Sequence, residues 1–245
     1  MSVPDTALRT AVVVPAYEAS ATVGDVVREL VRCWPHGVLV VDDGSLDDTS
    51  DRARRAGATV ARHDRNRGKG AALRTGLRLA RDRGFAVAVT VDADGQHPAE
   101  EALRLASHDA PPEALVLGIR DLPGAGAPRA NQMSNRISNY FLSRFASMDL
   151  ADTQCGLRRY PVTRTLQLDG RSRGYAFEAE ILLLAVRAGL PIVQVPVHVR
   201  YDGPCRTHFH VARDPARIIG RVLWTIARGH LASSAPSPRP TLHES

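Results

Sequence analysis

Apolar positions cluster and then spread along the first half of the chain. Four short β-branched runs, Ala11 to Val14, Val38 to Val41, Thr59 to Ala61 and Val87 to Val91, read as buried strands. Between them the apolar residues take helical spacing. Val23, Val26, Val27, Leu30, Val31 and Trp34 recur at three- and four-residue steps, with Ser20 or Thr22 as the cap and Pro35 as the stop. A second helix is predicted from Asp48 to Ala56, ending at Gly57, and a third from Ala71 to Arg83, ending at Gly84. Strands alternating with helices predict an α/β fold, with a mostly parallel central sheet and helices on its faces.

After Asp94 the rhythm loosens. The pattern predicts a strand at Ala114 to Leu117, a Gly/Pro-rich loop at Leu122 to Pro128 and a polar amphipathic helix from Ala130 to Phe145. An irregular segment from Asp152 to Pro161 follows, then an apolar helix from Phe177 to Arg187 and a strand from Ile192 to Val199. Asp214 to Arg228 reads as a final amphipathic helix. Ile218, Ile219, Val222, Leu223 and Ile226 share one face, opposite Arg213, Arg217, Arg221 and Arg228, with Trp224 among them. The expected organisation is an extension at 1–8, one domain at 9–230 and a disordered tail at 231–245. That domain divides into a first half at 9–97, a second at 98–210 and the amphipathic helix at 211–230.

Composition narrows the class of protein. The 245 residues are 44% hydrophobic and 24% charged, ordinary values for a globular domain with a sizeable core. No apolar run reaches the ~20 residues of a spanning helix, and Met1 to Leu8 lacks the pattern of a secretion signal, so a cytoplasmic location is expected. Cys33, Cys155 and Cys205 are odd in number and widely spaced, which predicts free thiols. The net charge of +6 favours an anionic partner of some kind. Nucleic acid is a poor candidate, because only 5% of residues are aromatic and they stand mostly singly.

Three segments carry candidate chemistry. Two strands end in acidic turns, Val41-Asp42-Asp43-Gly44-Ser45 and Val91-Asp92-Ala93-Asp94-Gly95-Gln96. Ligands of open parallel sheets bind outside the carboxyl ends of the strands, so both turns should meet one crevice. Paired carboxylates there can hold the polar edges of a nucleoside or a hard divalent cation that leaves sites for phosphate; Asp92 and Asp94 fit the cation. The third segment, Asn66-Arg67-Gly68-Lys69-Gly70, opens a helix with glycines and the only lysine among 32 basic residues, a plausible anion site. It lacks Walker A spacing, and Pro15-Ala16-Tyr17-Glu18 stands where a dinucleotide fingerprint would follow the first strand.

Val14-Pro15-Ala16-Tyr17-Glu18, Val41-Asp42-Asp43-Gly44-Ser45, Asn66-Arg67-Gly68-Lys69-Gly70 and Asp92-Ala93-Asp94-Gly95-Gln96-His97 together resemble the ordered motifs of family 2 glycosyltransferases with the GT-A fold. Within that family they are similar to the dolichyl- or polyprenyl-phosphate mannosyltransferase and glucosyltransferase branch. The resemblance runs from about Arg9 to Arg217. It implies an inverting hexosyl transfer from a nucleotide sugar, of GDP-mannose or UDP-glucose type, to a polyprenyl phosphate or related acceptor.

By the same resemblance, Pro15, Tyr17 and Glu18 line the nucleoside pocket, and Asp42 and Asp43 belong to the donor site, with Asp42 on the base or ribose. Lys69 and Ala93 join the donor site, while Asp92, Asp94 and Gln96 hold Mg²⁺ or Mn²⁺ and the pyrophosphate. His97 is expected on a phosphate or in a solvated turn. Arg120 and Arg129 stand where the branch places arginines for the acceptor phosphate. The segment from Asp152 to Arg158 resembles its loop before the acceptor site, with Cys155 as a packing residue.

Arg200 to Arg206 aligns with an Arg-x-x-Gly-Glu-Ser-Lys pattern, but Pro204, Cys205 and Arg206 replace Glu, Ser and Lys. Arg200 and Arg206 keep the charge to clamp a diphosphate, and the departure points to a bacterial cousin of the dolichyl-phosphate mannose synthases. Glu178 lies eleven residues before Gly189, the spacing at which many family 2 enzymes place their catalytic Asp, and the resemblance implies a general base there if the acceptor is a hydroxyl. A catalytically silent sugar-nucleotide-binding protein is the rival reading. For a lipid-phosphate acceptor, the amphipathic helix at 211–230 is expected to touch the inner face of the cytoplasmic membrane.

Overall fold

The computed structural model describes residues 10–200, apart from His36 and Tyr175, together with Gly220. Its strands are β1 (Thr10–Ala16), β2 (Val38–Asp42), β3 (Thr59–Arg62), β4 (Val87–Thr90), β5 (Leu115–Arg120), β6 (Arg158–Pro161) and β7 (Ile192–Val197). Its helices are α1 (Val23–Cys33), α2 (Thr49–Arg55), α3 (Lys69–Asp82), α4 (Ala99–Ala106), α5 (Arg129–Ala146), α6 (Val162–Gln167) and α7 (Ala176–Arg187). The final helix and tail expected at 211–245, Gly220 apart, lie outside the described residues, as do Cys205 and Arg206.

All the strands join one sheet in the order β3-β2-β1-β4-β6-β5-β7. Every residue of β1 and β2 is buried, which is why they read as continuous apolar runs rather than alternating ones. Alternate residues of β1 enter different cores. Val12 and Val14 pack with Val23, Val27 and Leu30 of α1 and with Ala102 and Leu105 of α4, while Ala11 and Val13 pack with Leu73 and Leu77 of α3 and with Leu182 of α7. Helices therefore cover both faces, and the apolar side chains of α1 face the first core as their spacing predicts.

The chain steps from β1 to β2 and β3 on one side and to β4 on the other, which makes β1 and β4 the switch point of the sheet. Parallel register aligns Ala16 with Asp42 and Val13 with Thr90, so the loops after β1, β2 and β4 leave the same edge. Strand β6 runs antiparallel to both β4 and β5 and places Arg158 opposite Thr90 and Leu117. Because β6 is reversed, the loop before it, rather than the loop after it, arrives at that edge.

Four elements differ from the sequence reading. Residues 158–161 form a buried strand, not an irregular segment, with both arginines donating to backbone carbonyls inside the protein. Arg159 donates to the carbonyls of His108, Ala110 and Pro111. Helices α4 and α6 were not anticipated: one is alanine-rich and the other a single short run. Helix α3 starts at Lys69 instead of Ala71, which puts the lysine in its first turn.

Candidate active site

The turns after β1 and β2 are knitted together by side chains. Glu18 takes a positive φ of 50° and its backbone N–H donates to Ser45 Oγ at 2.9 Å, while its carboxylate accepts the Leu46 N–H at 2.8 Å. Tyr17 is half-buried beside it, and Pro15 ends up inside β1. Asp42 and Asp43 correct the expectation drawn from sequence, since neither offers its carboxylate to the crevice. Asp42 is fully buried and accepts from Ser45 N–H at 2.9 Å, Ser45 Oγ at 2.6 Å and Ser50 Oγ. Asp43 accepts from the backbone of Arg67 at 2.9 Å and Gly68 at 2.6 Å, and lies 2.6 Å from His63 Nδ1. What these positions present outward is a shaped backbone.

Asp43 thereby fixes the glycine segment, which also does other work than expected. A side chain at Gly68, where φ is +92°, would meet the Arg173 carbonyl at 2.5 Å, and one at Gly70 would meet Phe177 Cβ at 2.5 Å. The glycines let the start of α3 press against residues 172–177. That contact sends Lys69 across the site. Its ammonium lies 2.7 Å from Asp92 Oδ1 and 3.3 Å from Glu178 Oε1, the second a charge contact whose geometry falls short of a hydrogen bond.

The turn after β4 is the focus of the edge. Thr22 Oγ1 pins the Ala93 carbonyl at 2.6 Å, Asp94 Oδ1 accepts the Gln96 N–H at 3.0 Å, and the Arg200 N–H donates to the Gln96 carbonyl at 2.8 Å. The structure thus brings Arg200 to the acidic turn. Burial alone would raise the Asp92 carboxyl, but the Lys69 ammonium, with His97 and Arg120, holds it below its ordinary value. Burial and the neighbouring Asp92 charge push Asp94 up to about 6.

These two carboxylates suit a hard cation. Their oxygens, with Gln96 beside them, cannot enclose an ion, and among the described residues no group of three or more His, Cys, Asp or Glu does. An ion held there would take its remaining ligands from phosphate and would relieve the repulsion that raises Asp94. His97, by contrast, is turned inward: it is buried, driven down to about 4 by that burial, and its Nε2 lies 4.0 Å from Cys155 Sγ. At 5% exposure it is not a solvated turn residue. Cys155 packs in the core, its thiol pushed up to about 12 by burial, and Cys33 and Cys155 are both free.

Arg120, at the end of β5, grips Asp152 through two bonds, Nε to Oδ2 at 2.7 Å and Nη2 to Oδ1 at 3.1 Å. Arg129 opens α5 and is exposed. Glu178 sits in the first turn of α7, buried, and its carbonyl accepts from Arg158 Nη1 at 2.8 Å. Arg158 is itself fully buried, with Nε on the Cys155 carbonyl at 2.9 Å and Nη2 on the Thr153 carbonyl at 2.7 Å. Sequence reasoning missed Arg158, which stakes the 153–155 loop to the start of α7. It also missed Gly156, where any side chain would strike the Asp92 carboxylate. No local pattern marks the adjacent arginines 158 and 159 as buried, and only their place in a buried strand shows it.

Comparison with known proteins agrees with this geometry. The chain is 31% identical over 201 residues to an uncharacterised protein of Methanocaldococcus jannaschii, covering 78% of this chain and 81% of that one. It is 31% identical over 202 residues to the undecaprenyl-phosphate mannosyltransferase of Micrococcus luteus, covering 78% and 83%. The fold superposes on glucosyl-3-phosphoglycerate synthase of Mycobacterium tuberculosis with a TM-score of 0.74 at 21% identity, over 93% of this chain and 85% of that one. That protein has been crystallised with Mg²⁺ and uridine diphosphate. The sheet with its single reversed strand is accordingly a GT-A fold, and since the profile of glycosyl transferase family 2 matches residues 11–164, the chain belongs to that family.

Proposed function

We propose that this protein transfers a hexose, with inversion, from a nucleoside diphosphate sugar of GDP-mannose or UDP-glucose type to a polyprenyl phosphate. The observation that carries the reading is the acidic turn Asp92-Ala93-Asp94, set at the switch point of the sheet with the Lys69 ammonium on Asp92, Arg120 near enough to lower the Asp92 carboxyl, and the Arg200 backbone tied to Gln96. The undecaprenyl-phosphate specificity of the Micrococcus luteus relative supports the acceptor class. Pro15, Tyr17 and Glu18 would bound the nucleoside, with Asp42 and Asp43 shaping that wall through the backbone they hold. Asp92, Asp94 and Gln96 would hold Mg²⁺ or Mn²⁺, which when bound neutralises charge on the departing diphosphate.

This chain's own cations do the rest. Lys69 holds Asp92 ionised and aimed, and Arg200, its backbone tied to Gln96, would reach a diphosphate oxygen at the turn. Arg206 is proposed to assist from outside the described residues. Arg120 and Arg129 would receive the acceptor phosphate, Arg120 with its guanidinium plane already set by Asp152. Such an acceptor is ionised near neutral pH and needs no base. The membrane contact proposed for residues 211–230 belongs to the same reading, with the protein working at the inner face of the cytoplasmic membrane.

A second reading, a hydroxyl acceptor, is favoured by Glu178, a buried carboxylate sharing Lys69 with Asp92. The deciding experiment measures transfer of radiolabelled hexose to detergent-solubilised polyprenyl phosphate, with Mn²⁺ or Mg²⁺, by the parent and by Glu178→Gln. Transfer that survives in the variant supports the phosphate acceptor. No transfer to polyprenyl phosphate by a parent that binds donor, with turnover on a hydroxyl acceptor that falls on the order of 10²-fold in kcat in the variant, supports the hydroxyl acceptor. Donor binding without turnover on any acceptor would return the silent binding protein.

A further inference from the structure

Helix α5 is built inside out. Its buried positions begin with Ser134, Asn135 and Ser138, and only later include Leu142 and Ala146. Ser134, Ser138 and the neighbouring Asn139 serve the loop before β6. Ser138 Oγ lies 2.8 Å from Thr153 Oγ1, Gln154 Nε2 donates to Ser134 Oγ at 3.0 Å, and Asn139 Oδ1 accepts the Thr153 N–H at 2.9 Å. Outward, Met133, Ile137, Tyr140 and Phe145 are 59%, 40%, 70% and 37% exposed. A helix lying on a water-facing domain does the reverse, since its apolar stripe turns inward.

The outer face also has a charge pattern. Met133, Arg136, Ile137, Tyr140 and Arg144 follow one another at spacings that keep them on one side, Arg136 and Arg144 are exposed, and α5 contains no Asp or Glu. Arginines set among apolar side chains suit a boundary, where the stems lie along hydrocarbon and the heads reach anionic groups. A second copy of the same face is a poor occupant, because two-fold pairing would set arginines against arginines with no acid between them. Eighteen residues at 1.5 Å each give about 27 Å of helix lying flat, and among the described residues no helix is long and apolar enough to cross a membrane.

We propose that α5 is a seat on an anionic bilayer. Its inner side clasps the loop whose Asp152 holds Arg120, so a bilayer under its outer side would lie beside the proposed acceptor site. The inference rests on the lipid-phosphate reading and adds the surface that faces the lipid.

The test is flotation of the full chain with phosphatidylcholine vesicles, with and without phosphatidylglycerol. The parent is expected to bind only the phosphatidylglycerol vesicles, more weakly as salt rises. Ile137→Ser with Tyr140→Ser should lower the partition coefficient about ten-fold or more with no change of charge. Arg136→Gln with Arg144→Gln should lower it about thirty-fold, from roughly one charge contact per arginine. Neither pair should alter melting temperature or elution volume, nor transfer to acceptor in detergent.

Absence of binding by the parent overturns the proposal, and so does unchanged binding in both pairs, which would assign the contact to another surface such as residues 214–228. A serine pair that converts a dimer to a monomer shows a self-interface, and one that lowers the melting temperature shows a face covered by residues 201–245; either result overturns it too. Transfer in detergent without vesicle binding removes the seat and keeps the glycosyl transfer. Vesicle binding that depends on α5, without transfer to any polyprenyl phosphate, does the opposite.

Discussion

At the level of single residues, the acidic turn sets activity against stability. Asp94 is pushed up to about 6 in the cation-free protein, against an ordinary value of 3.8. Between those values the folded chain holds a proton that the unfolded chain has released, so stability falls as pH rises through that window and the cost is fully present at neutral pH. Asp94→Asn should therefore raise the stability of the cation-free protein at pH 7.5 by roughly 1–2 kcal/mol after allowance for solvent screening, while turnover drops by about 10²-fold or more. Denaturant melts and transfer assays of one preparation check both halves; a destabilised variant would show that Asp94 is held by bonds rather than opposed by charge. Asp92→Asn should abolish turnover without that gain, because it also breaks the contact with Lys69.

Gly156 is the complementary case. Its hydrogen leaves room for the Asp92 carboxylate, so Gly156→Ala should weaken Mn²⁺ binding and lower kcat about ten-fold or more with only a modest fall in melting temperature. Isothermal titration with Mn²⁺, beside a melting curve, separates that displacement from unfolding.

At the level of elements, legibility follows burial. Strands β1, β2 and β4 could be read because parallel strands covered on both faces are continuous apolar runs, and α1 because one of its stripes faces a core. Strand β6 could not. Its sequence Arg-Arg-Tyr-Pro has no strand signature, and its guanidinium groups are buried against backbone carbonyls of the preceding loop at 153–155 and of the distant loop at 108–111. The site divides the same way. Asp92 and Asp94 were legible as a pair at a strand end, whereas the inward commitment of Asp42, Asp43 and His97 depends on partners supplied by Ser45, Ser50, His63, Arg67 and Cys155, which no local pattern reveals. Asp43 gives the element-scale prediction. Asp43→Asn loses charge-assisted bonds to Arg67 and Gly68 and should destabilise the fold by about 2–4 kcal/mol, loosening the start of α3 and with it Lys69. Urea melts should show the loss together with a raised KM for the donor; an unchanged melt would mean that the His63 contact alone holds the loop.

Across the whole molecule, the crevice is assembled from both faces of the sheet. Lys69 and Glu178 come from α3 and α7 on one side, Thr22 comes from the turn before α1 on the other, and Arg120 and Arg200 follow β5 and β7 at the far end. No single layer contains the proposed donor site, and the cation ligands proposed within it leave coordination positions to be filled. A cation alone should then bind weakly, and so should a nucleotide alone, since its diphosphate would face Asp92 and Asp94 without a counter-charge. Together each completes the other's surroundings, and that coupling must act equally in both directions. In a thermal-shift panel of GDP- and UDP-sugars, the rise in melting temperature with nucleotide and Mn²⁺ together should therefore exceed the sum of the two separate rises. At about a hundred times Kd the joint stabilisation would be about 2.7 kcal/mol, which for a chain of this size is roughly 5–10 °C. The base that gives the larger joint shift identifies the donor. Strictly additive shifts would mean that cation and diphosphate do not meet at the acidic turn, and the assignment of Asp92 and Asp94 as a shared cation site would fall with them.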